Sequence, residues 1–229
     1  MDVRTEYPTF SRRDGSVDVD YTVAVPAGVA LDVYSVSGRI RVDGVKGSIR
    51  FGSVSGSISS VNTPKVEYVR TVSGNVDLGD ISHDGNLTLS SVSANIDLSG
   101  VKARSLDVNT VSGDVRLHNA AVERLTARGL SGAFEYGGTL VRNGRYEVNS
   151  HAGSVRFTLA GDTGFELNAG SFSGSIRSDY RMTVGGDSRD LRPQRGPGAR
   201  RDGLQSTFGD GSARLDLHTF SGNIVIAKR

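Results

Sequence analysis

The sequence of 229 residues contains no cysteine and only five prolines. The absence of cysteine excludes disulfide bonds and thiolate metal sites, and it leaves the redox compartment open. No apolar run is long enough to span a bilayer, so we expect no transmembrane segment in this chain. The formal net charge is only +2, which gives nucleic-acid binding little support and predicts no nucleic-acid partner.

Runs of helix-favouring residues are also missing. Glycine is abundant instead, at 30 of the 229 residues. Valine, isoleucine and threonine occur in short alternating bursts between glycine, serine, asparagine and aspartate, which is typical of an all-β protein.

A short phrase recurs along most of the chain. Residues 36–60 read VSGRIRVDG, VKGSIRFGS and VSGSISS, so that each phrase supplies a corner glycine followed by apolar residues with the period of two that a strand needs. The corner returns every 18 to 21 residues, with one last gap of 48. Its residues are Gly38, Gly56, Gly74, Ala94, Gly113, Gly132, Gly153, Gly174 and Gly222. A fixed short period of this kind is the signature of a solenoid.

We therefore predict an all-β fold, a single-domain β-solenoid of the β-helix or β-roll type, with about nine coils and two main strands per coil. Residues 1–30 are expected to form an N-terminal cap that includes one strand from Val17 to Val25. Residues 31–184 form the repeat coils, residues 185–211 an insertion loop rich in arginine, glycine and proline, and residues 212–229 the final coil.

Two inward-facing ladders follow from the alternation. One consists of Ile40, Val42, Val76, Leu78, Ile96, Leu98, Val115, Leu117, Phe134, Tyr136, Val155, Phe157, Ile224 and Ile226. The other consists of Ile49, Phe51, Val66, Tyr68, Leu87, Leu89, Leu106, Val108, Leu125, Ala127, Tyr146, Val148, Phe165 and Leu167. Apolar side chains stacked in this way would fill a narrow core between two sheets.

The residue between each inward pair of the first ladder should face outward. In chain order these residues are Arg41, Ser59, Asp77, Asp97, Arg116, Glu135, Arg156, Arg177 and Val225. The four from Asp97 to Arg156 alternate in sign, which predicts a surface ion-pair ladder. The serine of each Ser-Gly corner is expected to hydrogen-bond the turn backbone, and His151, in the place of a corner valine, is expected to lie partly buried.

The sequence offers few residues for catalysis or metal binding. Asp77 and Asp97 are neighbours on the outward ladder and form a weak candidate pair for holding Ca²⁺ or acting as paired acids. The histidines His83, His118, His151 and His218 show no metal-ligand spacing. No nucleophile elbow or phosphate loop occurs. We expect no catalytic residue, no cofactor and no enzyme activity.

The insertion loop is strongly basic. Its arginines are Arg189, Arg192, Arg195, Arg200 and Arg201. The loop is interpreted either as a solvated insertion or as an arm that binds an anionic partner, because arginine clusters suit carboxylate and phosphate groups.

The order of phrases resembles a bacterial family of adhesin-like β-strand-repeat proteins. The resemblance rests on VPAGVALDVYSVSGRIRVDGVKGSI, on the SVSGxI phrases and on FGDGSARLDLHTFSGNIVI, and it extends from about Val17 to Ile226. The family is similar to the adhesin head domains of autotransporter-like surface proteins, its members are mostly predicted to be exported, and it has no established enzymatic activity. The resemblance implies a cell-envelope or extracellular β-solenoid. The start of the chain, Met1 to Arg4, lacks the apolar core of a signal peptide, so we also expect either a cytosolic protein or a mature form whose leader was replaced by Met1.

Three functions fit these observations. The first is a non-catalytic structural or adhesin-like binding scaffold whose partner is a protein or glycan at the cell surface, with end-to-end or side-by-side self-association as a further expectation. The second is an enzyme of the polysaccharide-acting β-helix type that uses Asp77 and Asp97. The third is an extracytoplasmic sensor domain of an envelope protein, with the basic loop as its contact. We favour the scaffold.

Overall fold

The structure is a computed structural model that describes residues 2–4, 19–181, 183–184 and 204–229. Every regular element in these residues is a strand, so the predicted all-β class is confirmed, and none of the described residues forms a helix that could cross a membrane. The strands are β1 (Leu31–Ser37), β2 (Ile40–Asp43), β3 (Ile49–Ser55), β4 (Ile58–Val61), β5 (Val66–Ser73), β6 (Val76–Gly79), β7 (Ser82–Ser93), β8 (Ile96–Ser99), β9 (Lys102–Ser112), β10 (Val115–Ser131), β11 (Phe134–Thr139), β12 (Arg145–Ala152), β13 (Val155–Ala160), β14 (Phe165–Ser173), β15 (Ile176–Ser178), β16 (Thr183–Val184), β17 (Leu204–Phe208), β18 (Ala213–Ser221) and β19 (Ile224–Lys228).

The strands stack into two parallel sheets that face each other, as a solenoid requires. Sheet A contains, in spatial order, the parallel strands β1, β3, β5, β7, β9, the second part of β10, β12, β18 and β14, followed at its edge by the antiparallel strands β17 and β16. Sheet B contains β2, β4, β6, β8, the first part of β10, β11, β13, β19 and β15. Each coil crosses from sheet A to sheet B at a corner that is Ser-Gly except at Ser93-Ala94 and Ala152-Gly153. The predicted β-solenoid is confirmed.

The last two coils are out of chain order. β18 pairs with β12 on one side and with β14 on the other, so the C-terminal strand lies between two strands that precede it in the chain. In sheet B, β19 lies between β13 and β15 in the same way. Between the coil of β12 and β13 and the coil of β14 and β15, the chain leaves room for one further coil. Residues 213–228 return to this position and occupy it.

The number of successive coils differs from the prediction of about nine. From β1 to β12, each strand of sheet A pairs in parallel with the next sheet A strand along the chain. These six pairings correspond to about six regular turns, after which neighbouring coils no longer follow chain order. The reason is physical: each repeat presents the same apolar positions at the same spacing, so a repeat can pair with one that is distant in the chain. Period alone does not specify which repeats become neighbours.

Nearly all of the predicted inward residues are buried, including Ile96, Leu98 and Leu106, which are at most 1 % exposed. Tyr68 is an exception, because β3 and β5 shift register after Ile49, which turns Tyr68 outward and buries Val69 in its place. Val42, in the first coil, is only partly buried. The continuous core supplies about 1.5 to 3 kcal/mol for each fully buried branched or aromatic side chain.

The core is rich in aromatic side chains from β11 to β13, just before the coils depart from chain order. Tyr136 stacks on Phe157 with ring centroids 5.1 Å apart and meets Tyr146 edge to face at 5.6 Å. The Tyr136 hydroxyl donates to the carbonyl oxygen of Thr139 at 2.8 Å, and the Tyr146 hydroxyl donates to that of Val122 at 2.8 Å. Burial raises the pKa of both tyrosines, so they stay neutral and their polar ends are satisfied inside the core.

The corner glycines are required for two different reasons. Gly113 has a φ of 115°, in the region that residues with a side chain rarely adopt. Gly56 has ordinary backbone angles, but a Cβ atom there would run into the carbonyl oxygen of Gly38 in the coil before it. The corners of successive coils thus stack backbone on backbone, which brings the side chains beside them into one line.

Two of the predicted segment assignments change. Residues 19–30 contain no strand, so the predicted strand is wrong from Val19 to Val25, and this part meets the first coil mainly through the turn, where the Lys46 amide donates to the Ala27 carbonyl at 2.6 Å. Leu204–Phe208, expected in the insertion loop, form β17, which pairs antiparallel with the outer side of β14. Residues 1, 5–18 and 185–203, which include the five arginines of the insertion, lie outside the described residues.

Candidate functional site

One row of side chains projects from the same corner in every coil. We call it the corner ladder, and in spatial order it consists of Val36, Val54, Val72, Val92, Val111, Leu130, His151, Phe220 and Phe172. The strand register fixes this order. Ser35 and Ser37, which flank Val36, pair with Ser53 and Ser55, which flank Val54 in the next coil. The row follows directly from the recurring valine of the Val-Ser-Gly phrase.

The apolar side chains of the corner ladder are unusually exposed to solvent. Val36 is 63 % exposed, Leu130 54 % and Phe172 71 %, whereas the core residues Leu125 and Phe165, in the coils of Leu130 and Phe172, are 0 % exposed. Val54 is the one aliphatic member that is only half-buried rather than exposed. Eight steps of about 4.8 Å make the row about 38 Å long. Single exposed apolar residues are ordinary, but a continuous row of them marks an interaction surface.

The C-terminal end of the corner ladder is an aromatic stack. The rings of His151 and Phe220 are 4.9 Å apart and nearly parallel, and those of Phe220 and Phe172 are 4.8 Å apart and nearly parallel. The expectation that His151 is partly buried is wrong, because its side chain is exposed beside Phe220. The stack exists only because the C-terminal coil lies between the coils of His151 and Phe172.

An inward hydroxyl precedes most ladder residues, and in several coils it holds the corner in place. Leu130 instead follows Gly129, and the buried Ser91 hydroxyl before Val92 has no hydrogen-bond partner among the described residues. Thr71 donates from Oγ1 to the carbonyl oxygen of Ser73 at 3.1 Å, and Thr110 donates to that of Ser112 at 3.1 Å. The sequence assigned this role to the second serine of the Ser-Val-Ser-Gly phrase. Ser73 does donate from Oγ to the carbonyl oxygen of Val54 at 3.3 Å, but the bond within the corner is made by the residue before the valine. With the hydroxyl bound inside, the next side chain must point outward, which fixes the direction of the ladder residue.

The two columns of residues next to the corner ladder contain no carboxylate. On the sheet A side the column is Tyr34, Gly52, Arg70, Ser90, Asn109, Arg128, Asn149, His218 and Gly170. On the corner side it is Ser37, Ser55, Ser73, Ser93, Ser112, Ser131, Ala152, Ser221 and Ser173. Among these residues the only formal charges are the cations of Arg70 and Arg128.

Carboxylates begin one column further out, at Asp32, Asp107, Glu147 and Asp216 of sheet A, and the last two are paired with arginines. Glu147 lies 3.8 Å from the guanidinium of Arg128, and Asp216 lies 3.0 Å from that of Arg214. Beyond the corner, Asp114 accepts from Arg116 at 2.6 Å and from the Ala133 amide at 2.9 Å. The corner ladder is therefore an apolar row with neutral and basic borders.

The structure places Asp77 and Asp97 side by side in sheet B, in the predicted register. Asp97 also lies 4.0 Å from Arg116. Partial burial, and then the neighbouring charge of Asp97, raise the pKa of Asp77. In the described ranges, no three His, Cys, Asp or Glu side chains form a group that could hold a metal ion. A catalytic or metal-binding role of the aspartate pair stays a prediction.

The expected ion-pair ladder is formed only in part. The strands align Asp97, Arg116, Glu135 and Arg156 as predicted. Among these four described side chains, only Asp97 and Arg116 approach within 4.0 Å. The order of the last two outward residues is also corrected, because the inserted strand β19 places Val225 between Arg156 and Arg177.

A stability test follows from the Asp77 pKa. Because this pKa is raised above 3.8 in the folded protein, the ionised carboxylate lowers the free energy of unfolding at neutral pH, and this penalty disappears as the pH falls through the raised pKa. We expect Asp77→Asn to raise the melting temperature slightly at neutral pH and to lose this advantage near pH 3.8. Melting curves across that range, with the exposed Asp84→Asn as control, check it. An advantage that grows on acidification would contradict the assignment.

The fold and this surface define a class of protein: a two-sheeted parallel β-solenoid with one exposed side-chain ladder along a corner. The family model Toastrack DUF4097 matches residues 65–227, which is more than half of the chain. The protein thus belongs to the Toastrack DUF4097 family. Comparisons with curated proteins and with solved structures gave no match. The expected membership in a family of β-repeat proteins is confirmed at this level.

Proposed function

We propose that the protein is a non-catalytic binding scaffold of the cell envelope or the cell exterior, adhesin-like in its mode of action, and that the corner ladder is its binding surface. The observation that carries the proposal is the continuity of the ladder: each coil contributes one outward side chain to a single straight row. Burying such a side chain is worth about 1.5 to 3 kcal/mol, so several coils acting together give substantial affinity from simple contacts.

The rest of the surface supports a scaffold rather than an enzyme. An active site needs a local group of acid, base and nucleophile that the repeat does not supply. The serines at the corners recur with the coil, and the Asp77–Asp97 pair lies beside the ion pair to Arg116. Glycan cleavage by the wild type that is lost in the Asp77→Asn, Asp97→Asn double variant would overturn the non-catalytic part of the proposal.

A matched pair of triple variants tests the ladder. The ladder variant carries Val92→Ser, Val111→Ser and Leu130→Ser. The control variant carries Asp97→Asn, Arg116→Gln and Glu135→Gln. Each of these residues lies on sheet B, five positions after the ladder residue of the same coil. Because the replaced ladder residues are solvent-exposed, both variants should fold normally, which circular dichroism can verify.

We expect the ladder variant to bind bacterial envelope fractions about tenfold or more weakly than the wild type, since each 1.4 kcal/mol of lost burial is a factor of ten. The control variant should bind like the wild type. Co-sedimentation with envelope fractions provides the measurement. Equal binding by the ladder variant and the wild type would exclude the corner ladder as the binding surface.

A further inference from the structure

We infer that the corner ladder docks on an anionic lipid surface, with the long axis of the solenoid parallel to the membrane. The inference rests on the proposed function, because it assigns a partner to the same surface. It is carried by three features of the described residues: the shape of the row, the charges beside it and the aromatic residues at its two ends.

The shape of the row suits a flat, deformable partner. The corner ladder is one residue wide and about 38 Å long, from eight steps of about 4.8 Å. A stable protein interface usually buries a broad patch of about 800 Å² on each partner. A lipid headgroup layer, in contrast, readily accepts a narrow apolar stripe with polar borders, as it does from the apolar face of an interfacial helix. A row at a projecting corner can reach such a layer along its whole length.

The borders of the row have the charge that an anionic lipid surface requires. Arg70 and Arg128 lie in the adjoining sheet A column, and Arg39 lies just beyond the first corner, where all three are exposed. The two adjoining columns contain no carboxylate. The next column of sheet A contains Asp32, Asp107, Glu147 and Asp216, of which Glu147 pairs with Arg128 and Asp216 with Arg214. Basic residues beside an inserted apolar stripe are attracted by the anionic headgroups.

Aromatic side chains mark both ends of the row. Tyr34, beside Val36 in the first coil, is 68 % exposed, and Phe172 at the opposite end is 71 % exposed. Aromatic rings are favoured at the boundary between headgroups and acyl chains. A glycan is a poorer fit along this row, because the faces of Phe220 are covered by His151 and Phe172.

Vesicle sedimentation tests the inference. The vesicles are pure phosphatidylcholine or equal parts phosphatidylcholine and phosphatidylglycerol, and the proteins are the full-length wild type, the ladder variant and the control variant defined above. We expect the wild type and the control variant to bind the anionic vesicles. The ladder variant should bind about tenfold or more weakly, and binding of all three to neutral vesicles should be weaker.

A second measurement reports orientation without changing a ladder residue. Because the chain contains no cysteine, a single introduced cysteine carries a unique label. Ser93→Cys places an environment-sensitive dye beside Val92, whereas Ser99→Cys places it on sheet B in the same coil, and both positions are exposed. We expect a blue shift of the dye at residue 93 on addition of anionic vesicles and none at residue 99.

The possible outcomes test separately whether the partner is a lipid surface and whether the corner ladder is the binding surface. A wild type that does not bind anionic vesicles, together with a ladder variant that fails to bind envelope fractions, overturns the lipid inference and retains the corner ladder as a surface for a protein or glycan. Vesicle binding with a blue shift at residue 99 instead of residue 93 also overturns it. A ladder variant that binds both vesicles and envelope fractions as the wild type does overturns the inference and the proposed function together.

Discussion

Deletion of residues 213–229 is expected to unfold the solenoid from β12 to β15, rather than to remove one coil from its end. In the native structure β18 and β19 lie between the coil of β12 and β13 and the coil of β14 and β15. The deletion removes five buried apolar side chains, Ala213, Leu215, Leu217, Ile224 and Ile226, each at most 2 % exposed. At about 1.5 to 3 kcal/mol for each larger one, the loss is on the order of 10 kcal/mol, comparable with the whole stability of a typical domain.

Peptide-level hydrogen–deuterium exchange measures the unfolding of these coils. Residues 145–178 should lose protection in the truncated protein, whereas the coils from β3 to β9 should keep it. Removal of Lys228 and Arg229 alone, which are exposed, serves as the control and should change little. Native protection of residues 145–178 after the full deletion would mean that β14 pairs directly with β12, and would contradict the inserted position of the C-terminal coil.

Ile96→Asp is expected to be far more damaging than Asp97→Asn, although the two residues are adjacent. Ile96 is 1 % exposed and lies between Val76 and Val115 of the neighbouring coils. An unpaired charge there costs several kcal/mol. Asp97 faces outward, and its replacement weakens one ion pair of 4.0 Å to Arg116, which costs less than about 1 kcal/mol.

Thermal unfolding of the two variants provides the comparison. Asp97→Asn should melt within a few degrees of the wild type, whereas Ile96→Asp should melt far lower or fail to fold. Similar melting temperatures for the two variants would contradict the strand register on which the core and the corner ladder both depend.

The inward residues were predictable because one alternation serves every coil. Ile96 and Leu98, for example, occupy the same places in their phrase as Val115 and Leu117, and all four are buried. Tyr68 could not be placed in this way, since the sequence VEYVR allows either Tyr68 or Val69 to face inward and only the pairing with β3 decides between them.

The spatial order of the last coils was not predictable from the repeat. The corner phrases at Gly174 and Gly222 are nearly identical, so the sequence does not reveal which of them stacks on Gly153. In the structure Gly222 does, with Gly174 beyond it. The 48-residue gap between these glycines was the one visible signal that the regular order ends there.

The corner ladder could have been found from the sequence. The recurring valine follows an inward serine or threonine by one position, so the period of two already directs it outward. Interpreting the valine only as a corner residue concealed the fact that such residues align over the whole length of the solenoid. The aromatic stack was beyond sequence reasoning, because it needs Phe220 between His151 and Phe172.

Hydroxyl-radical footprinting of the wild type, with and without envelope fractions, tests most directly the claim that the corner ladder is the binding surface. Phe172, Phe220 and Leu130 are exposed in the free protein and should become protected on binding. Tyr68, exposed on sheet A in the second column from the ladder, should react equally in both states. Protection of Tyr68 without protection of Leu130 and the two phenylalanines would contradict the claim.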